Sequence, residues 1–173
     1  DSFNEYDYNQ VRLGTENFFW NVFCDDYLEI VKDRTYNPDK RGVQASNSGK
    51  QTLFFGLLDS LKMMAPFMPH ITEEIYSEYY SGKEKLDSIH ISSWPKVRKI
   101  DTDYEKKGDR AIEILHQVRK YKSDNQVSMK APIQLTLRKN DEKELSEFID
   151  DLKAVCNAEK LVFGDKVRIS LII

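Results

Sequence analysis

The chain has 173 residues and a mass of 20.3 kDa, which is enough for one substantial core and too little for three ordinary domains. Hydrophobic residues make up 40% and charged residues 32% of it, so a folded core with a solvated surface is expected and a wholly disordered chain is excluded. No apolar run has membrane-spanning length, no secretory signal opens the sequence, and the formal net charge is −3.

The first half of the sequence predicts helices. Between Asn9 and Tyr36, apolar residues recur at three- and four-residue steps without a proline, which predicts one long helix packed between neighbours. The stretch 37–50 is rich in Pro, Gly, Asn and Ser and predicts a loop. A second helix should run to about Met64, ended by Pro66, and a third should start at Pro69. The predicted buried face of the third helix carries Ile71, Ile75 and Tyr79.

A strap and a fourth helix are predicted next. The short apolar stretch 89–91, followed by Trp94, is typical of an extended strap that the tryptophan anchors. A helix is predicted from about 103 to 122. Its inward residues should be Ala111, Ile114, Leu115, Val118 and Tyr121.

From residue 133 the hydrophobic period changes, because Ile133, Leu135 and Leu137 alternate with polar residues as in a half-buried strand. A helix at about 141–156 and two short strands at 160–163 and 167–172 complete a β-α-β-β order. The predicted fold class is therefore mainly α, a helix bundle followed by a small α/β appendage. We expect the bundle to span residues 1–128 and the appendage residues 129–173.

Patterns for catalysis and metal binding are weak. The histidines His70, His90 and His116 lie in different predicted elements, and none adjoins a serine or cysteine in a nucleophile setting. Neither Cys24 nor Cys156 has a partner at metal-ligand spacing. The seven glycines are isolated, so no phosphate-binding loop is expected. We therefore predict no catalytic residue and no metal site in this chain.

RNA binding needs cations for phosphates and planar side chains on which unpaired bases stack. The stretch from Lys32 to Arg41 offers four cations and Tyr36 at the end of a predicted helix. A second group lies at 119–122, within the stretch 96–143, where 13 lysines and arginines stand against 8 aspartates and glutamates. The alternative for both groups is an ordinary solvated helix end, where cations oppose the helix dipole.

Four runs are distributed between residues 18 and 133: FFWNVFCDDYLEIVKDR, MMAPFMPHITEEIY, IHISSWPK and VRKYKSDNQVSMKAPI. In order and spacing they resemble the anticodon-binding region of class I aminoacyl-tRNA synthetases of the valine, leucine and isoleucine group. The second run is shared across that group. The CDDYLEIVK helix, the Trp94 strap and the VRKYKSDNQVS segment are most similar to valyl-tRNA synthetases, particularly those of archaeal type. The family's HIGH and KMSKS motifs and its editing domain are absent from the sequence.

The resemblance implies that the complete enzyme joins L-valine to tRNA(Val) in the cytoplasm at the expense of ATP, with Mg²⁺. This C-terminal part would grip the anticodon arm without being catalytic and without needing a cofactor of its own. Its partners would be the tRNA and the catalytic and editing domains of the same longer chain, with no membrane involved. Because the sequence opens with Asp1 rather than Met, we expect it to be a fragment that lacks helices preceding Asn9 in the family.

By the same resemblance, eight residues are expected to contact tRNA: Lys32, Arg34, Tyr36, Lys40, Arg41, Arg119, Lys120 and Lys122. Two alternatives stay open. In the first, the chain is a scaffold or interaction domain that braces the rest of a synthetase. In the second, it is the equivalent module of a leucyl or isoleucyl enzyme.

Overall fold

The computed structural model describes residues 3–97, 99 and 101–172. Residues 1, 2, 98, 100 and 173, which fall within the predicted domain ranges 1–128 and 129–173, lie outside the described residues. Helices dominate, and a small sheet forms from the C-terminal part of the chain, so the predicted fold class is confirmed. Within the described part of the chain, no helix combines the length and apolar character needed to cross a membrane.

The elements are, in chain order, α1 (Tyr8–Asn17), a π-helical segment (Phe18–Leu28), α2 (Glu29–Tyr36), α3 (Pro38–Arg41), α4 (Val43–Met64), α5 (Pro69–Tyr79), α6 (Ser81–Glu84), a 3-10 turn (Ile89–Ile91), α7 (Thr102–Asp124), β1 (Ile133–Arg138), α8 (Lys139–Glu144), α9 (Ile149–Val155), β2 (Ala158–Gly164) and β3 (Arg168–Leu171).

The chain divides into two compact units. The first contains Asp1–Leu28 and Gly42–Arg98, and the second contains Glu29–Arg41 and Lys99–Ile173. These units are groups of segments that pack closely together in the fold. The predicted boundary between residues 128 and 129 has a different basis, namely the change in hydrophobic period along the sequence. That boundary stays a prediction.

The long helix predicted for residues 9–36 forms as three helical segments that follow one another along the chain. In its π-helical middle, Phe23 is buried and stacks on the rings of Phe19 and Tyr27, with centroids 6.1 and 6.5 Å apart. Trp20 is 61% exposed, so the apolar surface of this segment is only partly packed. The sequence period identified the helical character but not the wider π-helical turns.

The loop predicted for residues 37–50 is wrong, because this stretch is helical except at Asn37 and Gly42. Pro38 begins α3, a position where its missing N–H costs nothing. Gly42 separates α3 from α4 with a φ of 90°, a conformation that glycine adopts without strain. Ser46 is buried in the first turns of α4, so tertiary packing outweighs the loop-like composition here.

The core of the first unit lies between α4 and α5. The predicted end of α4 before Pro66 and the predicted start of α5 at Pro69 are both confirmed. The buried residues of this core are Leu58, Leu61, Ala65, Tyr76, Tyr80 and Ile89. The predicted buried face of α5 is partly wrong, because Ile75 packs against this core but Ile71 and Tyr79 are exposed. The centre of the buried face is Tyr76, whose hydroxyl donates to Glu84 at 3.0 Å. Burial and the Glu84 carboxylate raise the pKa of Tyr76 to about 12, so it remains a donor.

The strap predicted at 89–91 is a 3-10 turn rather than an extended segment. The Glu73 carboxylate accepts from the Ile89 backbone N–H at 3.0 Å and from the Ser88 hydroxyl at 2.9 Å, which fixes the entry to this turn. Trp94 is 49% exposed and packs edge-to-face on Phe3 with a centroid distance of 5.0 Å. It thus contacts a residue near the beginning of the chain.

The second unit is built around α7 and the sheet. Of the residues predicted to face inward on α7, all but Tyr121 are buried. Lys122 is buried in place of Tyr121. The sheet has the order β2-β1-β3, with β1 parallel to β2 and antiparallel to β3. The alternation predicted for β1 is confirmed, since Ile133, Leu135 and Leu137 are fully buried.

The single helix predicted at 141–156 forms as two, α8 and α9, so the observed order is β-α-α-β-β. Asp141 fixes α8 at the end of β1, because its carboxylate accepts from the Arg138 backbone N–H at 2.9 Å and from two nitrogens of Arg110 at 3.0 and 3.1 Å. The turn between α8 and α9 buries Leu145 completely. Together the two helices form the crossover that a parallel strand pair requires.

Two glycines in helices test the packing of the first unit. A Cβ at Gly56 in α4 would lie 2.5 Å from Cε2 of the buried Phe23 ring, whereas a Cβ at Gly14 in α1 would meet nothing within 4 Å. We expect Gly56→Ala to destabilise the protein by about 1–3 kcal/mol, because the ring must move. The matched control Gly14→Ala should stabilise it by roughly 0.5–1 kcal/mol through helix propensity. Urea unfolding of both variants measures this, and equal effects would contradict the packing.

The Asp141 cluster predicts a pH dependence. Burial raises the pKa of Asp141, but the hydrogen bonds from Arg110 and the Arg138 N–H lower it further, so its folded pKa lies below the ordinary value. As the pH falls, the unfolded chain binds this proton at a higher pH than the folded chain does. The stabilisation is therefore fully present above the unfolded pKa and is lost as the pH falls through the folded pKa. Urea unfolding across acidic pH should show a steeper loss for the wild type than for Asp141→Asn. The exposed neighbour Glu142→Gln is the control, and parallel curves for wild type and Asp141→Asn would contradict this role.

Candidate nucleic-acid interface

The first predicted group of contact residues lies where α2 ends and α3 begins. Tyr36, the last residue of α2, is 78% exposed, and Lys40 in α3 is exposed as well. Lys32, one turn before Tyr36, is exposed and forms an ion pair with Glu29. A planar ring and lysines at one surface are what base stacking and phosphate contact require.

Arg34 and Arg41 belong to the same predicted group, but they bind carboxylates of their own unit. The Asp151 side chain in α9 is 2% exposed, with its Oδ2 3.0 Å from Arg34 Nη2 and its Oδ1 2.7 Å from Arg41 Nη2. Arg41 Nη1 also lies 2.7 Å from Asp33 Oδ2. Because both guanidinium groups pair with this carboxylate, the geometry does not favour their RNA contacts, which stay predictions.

The charges of this cluster shift one another's proton affinity. Burial alone raises the pKa of Asp33, but hydrogen bonds from Arg41 and Asn37 and the charge of Lys40 bring it below the ordinary value. Burial raises the pKa of Asp151, and the charges of Arg34 and Arg41 oppose that rise. The two arginines thus supply the positive charge that keeps a buried carboxylate compatible with the fold.

An open cleft of about 660 Å³ lies beside this cluster, and we call it the α2–α9 cleft. One wall comes from α2 and α3, and the other comes from α9 and the start of β2. The lining residues are Glu29, Lys32, Asp33, Tyr36, Asn37, Lys40, Arg41, Asp150, Lys153, Ala154, Val155, Asn157 and Ala158. The cleft contains four of the eight predicted contact residues, namely Lys32, Tyr36, Lys40 and Arg41.

The second predicted group, near the end of α7, is not brought into this cleft. Lys120 is exposed, and Arg119 is half-buried. Lys122 is 1% exposed, and its ammonium donates to the carbonyls of Met129 at 2.8 Å and Cys156 at 2.9 Å. Burial lowers its pKa. Lys122 therefore stabilises the turn after α7, and its predicted contact with tRNA is one that the geometry disfavours.

Sequence reasoning missed the α9 wall of the cleft. Lys153 is exposed on α9, and Asn157 follows that helix with a φ of 55° and donates to the Lys130 carbonyl. More than a hundred residues separate these side chains from α2 along the chain. Because no local pattern links such distant residues, only the tertiary contact between α2 and α9 shows that they share a site.

Metal-binding and nucleophilic groupings add nothing to this site. Among residues 3–97, 99 and 101–172, no group of three or more His, Cys, Asp or Glu side chains is placed to hold a metal ion. Burial raises the pKa of Cys156 to about 12, so its thiol stays protonated at neutral pH and is a poor nucleophile.

A comparison with known families supports a nucleic-acid interface. Residues 1–137 match the family described as the anticodon-binding domain of tRNA ligase. The chain belongs to this family. The match includes α2 and α3 with Tyr36 and Lys40, and it ends inside β1, so α9 and Lys153 lie beyond it.

Curated relatives extend the similarity to nearly the whole chain. The chain is 39% identical to the valine–tRNA ligase of Rickettsia felis over 97% of its own length and 20% of that protein. It is 38% identical to the Wolbachia enzyme of the same name, covering 97% of the chain and 20% of that protein. Identity to the valine–tRNA ligase of Ehrlichia ruminantium is 41%, covering 99% of the chain and 22% of that protein. The chain thus spans about a fifth of the length of these relatives.

The Asp151 cluster is testable by stability. We expect Asp151→Ala to lower the free energy of unfolding by about 2–4 kcal/mol, because it leaves two partly buried arginines without their carboxylate. The adjacent Asp150 is exposed, and Asp150→Ala should change stability by no more than about 0.5 kcal/mol. Guanidinium chloride unfolding compares the two. Equal, small effects would show that Asp151 does not hold α2 and α3 against α9.

Proposed function

We propose that this chain is the anticodon-arm-binding part of a valine–tRNA ligase and that its RNA-binding surface is centred on Tyr36. The match of residues 1–137 to the anticodon-binding family carries this proposal. The curated relatives named above, all valine–tRNA ligases, support valine tRNA as the partner. The remaining catalytic and editing domains of such an enzyme would belong to the same longer chain.

The proposal divides the eight predicted residues by what their side chains contact, and it gives Lys122, which is buried on the Met129 and Cys156 carbonyls, no part in the RNA contact. Tyr36 offers a stacking surface, and Lys32 and Lys40 offer ammonium groups for phosphates. Arg34 and Arg41 support these residues by pairing with Asp151. Contacts from Arg119 and Lys120 to the RNA backbone are proposed as a separate, weaker contribution, because neither residue lines the α2–α9 cleft.

For the whole enzyme we propose the ligation of L-valine to tRNA(Val) in the cytoplasm, with ATP as the energy source and Mg²⁺ as the cation that accompanies it. The residues of this chain do not fit ATP. The glycines of the sequence are isolated, and the described residues build no glycine-rich loop in which backbone N–H groups could cradle phosphates. ATP chemistry is thus assigned to other parts of the enzyme.

A second candidate function is that of a scaffold or interaction domain. It is favoured by exposed apolar side chains along α1 and the π-helical segment, where Leu13 is 44%, Trp20 61% and Val22 42% exposed. Exposed apolar groups on one helical stretch are typical of a surface that another domain covers. The two functions are compatible in one enzyme, but only the first requires that this chain itself binds tRNA.

The test is binding of the chain to fluorescent valine, leucine and isoleucine tRNAs across a salt series. We expect valine tRNA to bind more tightly than the other two, with an affinity that falls as salt rises because phosphate contacts release counterions. Tyr36→Ala should weaken binding by about 1–3 kcal/mol through the loss of stacking on one base.

The matched control is Tyr79→Ala, which removes another exposed helical tyrosine, 59% exposed on α5, and should leave the affinity unchanged. Circular dichroism and urea unfolding establish that each variant is folded. A folded wild-type chain that binds none of the three tRNAs would refute the first function and favour the scaffold. Equal affinity for all three would refute the valine assignment.

A further inference from the structure

The wall of the α2–α9 cleft that comes from α9 lies outside the family match and holds the exposed Lys153 opposite the end of α2. We propose that this cleft binds one unpaired nucleotide of the tRNA, with Tyr36 stacked on its base and Lys153 in contact with a phosphate. The inference rests on the proposed function and extends it to the C-terminal appendage, since it makes Lys153 an RNA-binding residue.

The ion pairs of the cleft decide which cations can meet a phosphate without first giving up a carboxylate partner. Lys32 pairs with Glu29, and Arg41 pairs with Asp33 and Asp151. Among the described residues, neither Lys40 nor Lys153 forms an ion pair, and both are exposed. Lys40 lies on the α2 and α3 wall, and Lys153 lies on the α9 wall. Each wall therefore offers a phosphate one ammonium group that is not paired with a carboxylate of the described residues.

The Asp151 cluster holds the two walls in a fixed arrangement. Arg34 from α2 and Arg41 from α3 both bind the carboxylate of Asp151, which lies two residues before Lys153 on α9. The position of Lys153 relative to Tyr36 is thus set before any ligand binds. A preformed site loses less conformational entropy on binding, and its affinity per contact is higher.

The size and lining of the cleft suit a single nucleotide. Its volume of about 660 Å³ lies within the range of sites for small organic ligands. Ala154 and Val155 give the α9 wall an apolar part, while Asn37 and Asn157 bring amide side chains to the lining. The side-chain nitrogens of Asn37 and Asn157 already donate to Asp33 and to the Lys130 carbonyl, so these amides offer their oxygens as acceptors to the polar edge of an unpaired base.

The experiment measures the affinity of the wild-type chain and of Lys153→Ala for a valine-tRNA anticodon stem-loop and for whole valine tRNA, across a salt series. We expect Lys153→Ala to weaken binding roughly three- to tenfold and to reduce the salt slope by about 1, as the loss of one phosphate contact does. Lys166→Ala is the matched control, because Lys166 is an exposed lysine of the same unit that does not line the cleft. Lys153→Gln serves as a second variant that keeps most of the side-chain length.

Stacking is tested by making each loop nucleotide abasic in turn. At one position, the abasic RNA should bind the wild type more weakly than the intact RNA does. The wild type and Tyr36→Ala should then have the same affinity for this abasic RNA, while Lys153→Ala should still bind it more weakly than the wild type. Tyr36→Phe should bind like wild type, because the ring that stacks is retained. If no position shows this pattern, the cleft does not hold a base.

The outcomes separate this inference from the proposed function. If wild type binds valine tRNA and depends on Tyr36, but both Lys153 variants match Lys166→Ala, the nucleotide site is refuted and the anticodon function stands. If folded wild type binds no tRNA, both fail together. If an oligoglutamate peptide binds with the same dependence on Lys153 and the RNA does not, the cleft is a site for acidic peptides and the inference is wrong.

Discussion

The pairing of Asp151 with Arg34 and Arg41 is the constraint on which the candidate site depends. A carboxylate as deeply buried as this one is costly unless charged partners surround it, and two guanidinium groups within 3.0 Å meet that need. The same contacts join α2 and α3, which are neighbours along the chain, to α9, which lies more than a hundred residues away in the sequence. The cluster therefore determines where the end of α2 lies, and with it the position of the exposed Tyr36.

Arginines and lysines have different roles in this unit. The planar, permanently charged guanidinium groups of Arg34 and Arg41 bind Asp151, and that of Arg110 binds Asp141. Arg110 contacts its carboxylate through two nitrogens, and Arg41 uses two nitrogens to join Asp33 and Asp151. The exposed cations of the cleft are lysines, whose flexible chains suit contact with a phosphate backbone of variable path. Lys122 is the exception, since its ammonium is buried against two backbone carbonyls. Charge type alone therefore does not identify which cations of this unit are exposed.

The appendage contributes to the α2–α9 cleft from beyond the family match. The family match ends within β1, and α9 with Lys153 follows it. The crossover from β1 to β2 brings α9 beside α2, because the parallel pairing of these strands requires a connection across one face of the sheet. The C-terminal part of the chain thus supplies one wall of the cleft through α9 and the start of β2.

The sequence by itself determined the helical character of residues 9–36, the end of α4 before Pro66, the start of α5 at Pro69 and the alternation of β1, because these depend on local period and on proline positions. It also indicated the family, because ordered motifs carry that resemblance. Composition misled at residues 37–50, where burial of Ser46 and the positive φ of Gly42 favour helices on either side of a glycine. Only the tertiary structure decided which cations are exposed, because the partners of Arg34, Arg41 and Lys122 come from segments distant in sequence. These partners are long-range contacts, and no local pattern encodes them.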